Sequence, residues 1–91
     1  MGFADKSWLD CLSPEVKIDQ LQYIDYNEIV KQHSKELRDA GCDFVIAINH
    51  MRLPEDQRMA SENDYTIVDM AFGGHDHTYH SSLNEDTDVF I

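Results

Sequence analysis

Basic residues are scarce in this chain. Seven Lys and Arg face eighteen Asp and Glu among 91 residues, for a formal net charge of -11. A surface this acidic repels polyanions, which excludes DNA and RNA as partners. An acidic protein that handles phosphate needs bound cations to offset its own field. Cysteine is nearly absent too. Cys11 and Cys42 have neither zinc-type spacing nor the density of a disulfide framework. Cys42 follows Gly41 and precedes an apolar run, which predicts a buried thiol. Long apolar runs are missing as well. The longest, FVIAI at 44–48, has about five residues, against the ~20 that a transmembrane helix needs. The opening MGFADKSWLD has neither the basic start nor the apolar stretch of a signal peptide, and it lacks the Ser or Thr of a myristoylation signal. No membrane partner is expected. The compartment stays open, with a cytoplasmic location as the default. Repeats and low-complexity segments are absent.

Apolar residues make up 42% and charged residues 27%, which places the chain among globular rather than disordered proteins. Its length allows one domain at most. A chain this short buries only ~60–65% of the surface its unfolded form exposes, so its stability margin is thin.

The coarse pattern is strand, helix, strand, short helix, strand. LQYIDY at 21–26 alternates weakly and predicts a short strand. NEIVKQHSKELRDAG at 27–41 predicts a helix, capped by Asn27 and closed by Gly41. Its apolar stripe runs through Ile29, Val30, His33, Leu37 and Ala40, so His33 is expected to pack or hydrogen-bond. FVIAI is apolar at every position and predicts a strand covered on both faces. Pro54 opens a helix of about two turns over PEDQRMAS. TIVDMAF at 66–72 and the final DVFI read as further strands. This order predicts an α/β fold with a mixed sheet and flanking helices. In such folds ligands collect beyond the C-terminal ends of the strands.

Three histidines fall at those ends. His50 closes one predicted strand, and His75 and His77 follow Gly73-Gly74 just past the next. Imidazole is the commonest metal-binding side chain. A His-x-His pair in extended backbone points both rings to one side. If the two strands are neighbours, the three rings converge on one rim. Asp76 then points away and orients the loop or a neighbouring ring. His80 reads as a loop residue. Met51 and Met59 read as core fillers, and Trp8, Leu9 and Leu12 as packing residues. Arg52 either approaches a phosphate or pairs with a nearby acid.

FVIAINHMR, followed after a short helix by VDMAFGGHDHTYH, resembles the C-terminal part of a calcineurin-like metallophosphoesterase domain of the 5′-nucleotidase branch. The likeness covers roughly residues 21–80, and GFADKSWL shares its flavour. The resemblance implies a two-sheet α/β sandwich with helices outside, of which this chain is a single C-terminal fragment, 1–91. It implies two divalent metal ions, zinc, manganese or iron. His50 and His75 match ligands of one metal, and His77 matches a ligand of the other. It further implies hydrolysis of a phosphate ester or nucleotide by a metal-held hydroxide in the parent protein.

The family's other ligand motifs are not found. No histidine has an aspartate two positions before it, and no glycine is followed by aspartate. Asn49-His50 follows Ile48 rather than glycine, so it fits the later histidine position. With the bridging aspartate missing, the chain alone is expected to be inactive, so no catalytic residue is assigned. Half a sandwich also leaves a sheet face and strand edges unpaired, which predicts a homodimer or a segment swap. The competing expectation is a non-catalytic metal-binding or interaction domain that retains the three histidines.

Overall fold

A computed structural model describes residues 1–91. Its frame is one five-stranded sheet in the order β1-β2-β3-β5-β4. The strands are β1 (Gly2–Ala4), β2 (Ile46–His50), β3 (Met70–Phe72), β4 (Leu83–Asn84) and β5 (Val89–Phe90). The first three and β5 run parallel, and β4 pairs antiparallel with β5. Helix α1 (Tyr26–Asp39) connects β1 to β2, and helix α2 (Leu53–Glu62) connects β2 to β3. The expected α/β class, mixed sheet and flanking helices are therefore present.

Local chemistry explains each helix end. Asp25, not Asn27, caps α1: its carboxylate accepts the Asn27 N–H at 2.9 Å. The capping oxygen belongs to the residue that leaves the extended chain, and that step falls two residues earlier than the sequence suggested. The same step removes the strand expected at 21–26, because Tyr26 is already helical. Gly41 ends α1 with φ +95°. The Cys42 N–H returns to the Leu37 carbonyl at 3.1 Å and closes the motif. Helix α2 starts at Leu53 with Pro54 in its first turn, where a missing N–H does no harm.

The core gathers Tyr26 and Val30 of α1, Met59 and Ala60 of α2, and Ala47, Ala71 and Val89 of the strands, with Met51 and Val68. Met51 and Met59 are thus core residues, as expected. Ser34 joins the buried face of α1 and donates to the Ile67 carbonyl at 2.6 Å. His33 is half-exposed and meets the Glu36 carboxylate at 3.2 Å. Arg38 ties α1 to the start of β3, reaching the Thr66 carbonyl at 2.8 Å and Asp69 at 2.9 Å. Asp69 in turn accepts the Val45 N–H at 2.8 Å.

Only one face of the sheet is covered. Along β2 burial alternates: Ala47 and Asn49 are buried, whereas Ile46 and Ile48 are exposed. Ile48 is 66% exposed and its register partner Phe72 is 51% exposed. The expected two-sided cover of FVIAI is not observed. The reason is topological. From β1 to β3 the strand order never reverses, so crossovers of one hand lay both helices on the same side. Cys42 also departs from expectation and is exposed. It sits in the α1–β2 turn, ahead of the buried residues.

Candidate functional site

The strand register sets out the site. Strands β1, β2 and β3 are parallel neighbours, so their C-terminal ends share one rim. Ala4 pairs with His50, which places Asp5 just beyond β1 and next to the end of β2. Phe72 ends β3, and Gly73-Gly74 lead directly to His75.

His50 and His75 come together. Their ring centroids are 5.1 Å apart, edge to face. Trp8 closes the cluster, 4.7 Å from the His50 ring and 6.2 Å from the His75 ring. Its indole N–H donates to the His50 carbonyl at 3.1 Å. Trp8 packs, as expected, but its packing partners are the site histidines.

His77 does not join this pair to form a ligand set. No group of three or more His, Cys, Asp or Glu side chains is arranged to hold a metal ion. His77 instead lines a cleft of about 210 Å³ together with His75, His80, Asp56 and the two glycines. The extended His-x-His geometry is also not observed. His75 has φ +131° and His77 has φ +55°, so the segment coils rather than running as a strand. Single residues in such regions cost on the order of 1–3 kcal/mol and cluster at functional sites.

Several acids hold this rim in place. Asp76 lines the same cleft as His75 and His77, and its Oδ2 accepts the Leu53 N–H at 2.7 Å. This bond ties the loop to α2, although the extended backbone expected to point Asp76 away from the histidines is not observed. Asp5 is buried and was not anticipated. Its carboxylate accepts the N–H and hydroxyl of Ser7, and the Arg52 N–H at 3.2 Å. Burial pushes the Asp5 carboxyl upward, but these hydrogen bonds and the nearby His75 outweigh it and hold the group below its ordinary value. Arg52 therefore contributes its backbone, and its side chain forms no ion pair.

Asp56, on α2, is 3% exposed. Its Oδ1 accepts from the Asn49 side-chain amide at 2.8 Å, while the Asn49 Oδ1 is buried without a partner. Burial raises the Asp56 carboxyl above its ordinary value; the Asn49 bond opposes the shift, and the charges of Asp76, Asp5 and Glu55 add to it. Hydropathy gives no sign of either buried acid. The available signal was position: Asp5 directly follows a strand, and Asp56 sits in a first helical turn three residues after Leu53.

Two imidazoles on adjacent strand ends suit a shared metal ion as two of its ligands. The donors present do not make up a two-metal centre, and no hydrolytic step is assigned to them. No helix is long and apolar enough to cross a membrane. Comparison with family models, curated proteins and solved structures finds no match to this chain.

Proposed function

We propose that this chain forms one wall of a metal-dependent phosphoesterase site of the 5′-nucleotidase type, within the C-terminal part of a two-sheet catalytic domain. One observation carries the reading: His50 and His75, on the ends of adjacent parallel strands, bring their rings to 5.1 Å. The uncovered row of Ile46, Ile48, Met70 and Phe72 supports it, since a second sheet packs face to face on such a surface. In this reading His50 and His75 serve one divalent ion (zinc, manganese or iron) and His77 serves a second. The carboxylates that complete the centre come from elsewhere in the parent protein, whose substrate is a phosphate ester or nucleotide.

Zinc titration by calorimetry tests the reading. The chain should bind zinc through His50 and His75, and replacing either should weaken binding more than about tenfold. Replacing His33 should leave binding unchanged. A chain that ignores zinc, or whose affinity depends equally on His33, overturns the assignment. The isolated chain should not hydrolyse an aryl phosphate at any metal concentration.

The packing of Trp8 against both rings favours a second reading, a non-catalytic metal-binding or interaction domain. An upstream reading frame carrying the missing Asp-x-His and Gly-Asp-x-x-Asp motifs decides for the enzyme.

A further inference from the structure

His75 holds a backbone conformation, φ +131°, that a residue with a side chain rarely adopts. Such a state persists only where its surroundings over-determine it. The contacts that do so lie on both flanks of the residue, and both involve the first turn of α2.

On the N-terminal flank the Gly73 backbone lies against Asp56. A Cβ built on Gly73 would lie 2.1 Å from Asp56 Oδ2 and 2.9 Å from its Cγ. Asp56 has little freedom to retreat, because it is 3% exposed and its Oδ1 is bonded to Asn49 at 2.8 Å. Asn49, itself 5% exposed, directly precedes His50. On the C-terminal flank Asp76 accepts the Leu53 N–H at 2.7 Å. Leu53 and Asp56 belong to one helical turn, so a single rigid unit fixes the chain before and after His75. The His75 ring also meets the rings of His50 and Trp8, edge to face.

We propose that Asp56 and Asp76 are positioning residues that together hold His75 in its strained backbone state and so set its ring beside His50. The inference rests on the geometry of His75 and does not require the metal reading. Without either carboxylate the backbone relaxes toward negative φ, and the ring swings away from His50.

Proton NMR on the full chain, without metal, tests this. Wild type should show a nuclear Overhauser cross-peak between the His50 and His75 rings. Asp56→Ala and Asp76→Ala should lose it while unfolding cooperatively in urea. Asp56→Asn and Asp76→Asn each keep an acceptor oxygen and should retain it. Should Asp56→Ala fail to fold, Asp76→Ala, at an exposed position, decides by the same cross-peak. Strain gives a second readout. In the wild-type background His75→Gly should have a higher urea midpoint than His75→Ala, since glycine accepts φ +131°. In the Asp56→Ala/Asp76→Ala background that order should vanish. Cross-peaks that persist in both alanine variants, or the same Gly-over-Ala order in both backgrounds, overturn the proposal.

Discussion

Gly73 has no room for a side chain because Asp56 occupies the space: Oδ2 lies 2.1 Å from where a Cβ would stand. Contacts that close force movement, and both neighbours are held. Gly73→Ala should therefore destabilise the fold by about 1–3 kcal/mol, as overpacking does. Adding Asp56→Ala vacates the clashing atoms, so the double variant should be more stable than Gly73→Ala alone. Urea unfolding of the four species measures the coupling. Additive losses would show that the two residues do not touch.

Asp56 also gives a pH signature. Burial raises its folded pKa above the unfolded value, so the folded state binds the proton more tightly. Its contribution to stability should therefore grow as pH falls through the folded pKa, and level off below the ordinary aspartate value of ~3.9. Asp56→Asn carries no charge to desolvate. It should raise the urea midpoint at neutral pH, and its stability relative to wild type should decline toward acid. A difference between the two that is independent of pH would rule out this origin.

Tyr26, the first residue of α1, is a second titratable group held by α2. Its hydroxyl donates to Glu55 Oε2 at 2.6 Å. Burial, followed by the Glu55 bond and charge, pushes its pKa well above the ordinary tyrosine value. The stability this provides is full below the unfolded pKa of ~10 and is lost as pH rises toward the folded value. An ultraviolet titration should show Tyr26 ionising only as the fold opens. Tyr26→Phe should cost about 1 kcal/mol at neutral pH, the scale of one hydrogen bond.

The uncovered sheet face should drive self-association of the chain when nothing else covers it. Ile48 and Phe72 pair across neighbouring strands there and are both more than half exposed. The net charge of -11 opposes contact between copies. Salt should tip the balance, because screening length falls from ~10 Å at 0.1 M to ~3 Å at 1 M. Sedimentation should show larger species as salt rises, and Ile48→Glu with Phe72→Glu should abolish them. A monomer at every salt concentration would refute this expectation.

Much of this was legible in the sequence, because periodic or steric signals carry it. Gly41 and Pro54 mark helix ends through backbone constraints that hold in any context. Ala47 and Val89 lie in short apolar runs, and both reach the core. Strand order put His50, His75 and His77 on one rim provided β2 and β3 were neighbours, while the pairing of His50 with His75 came from the family resemblance. What escaped depended on contacts made across the chain. Strand β1 has three residues and is a strand only through its register with β2, Gly2 to Ile48 and Ala4 to His50. LQYIDY alternates like a strand, but Asp25 is drawn into capping α1. Whether Ile46 and Ile48 are covered depends on which side the helices land. The coil at His75 and His77 has no local pattern to announce it, nor has the approach of Asp56 to Gly73 from a different element.

The strand order also bears on how the chain folds. Strands β1 and β2 each pair with the strand that follows in sequence, whereas β3 skips β4 and pairs with β5, whose other neighbour is β4 in a local antiparallel pair. No pairing waits for a later segment to be threaded between two strands already joined. The sheet can grow one rung at a time from the amino-terminal side, with the 83–90 hairpin docking as a unit. The β1–β2 rung, Gly2 to Ile48, closes the longest loop, and the β2–β3 and β3–β5 rungs close shorter ones, so the first rung carries the largest closure entropy.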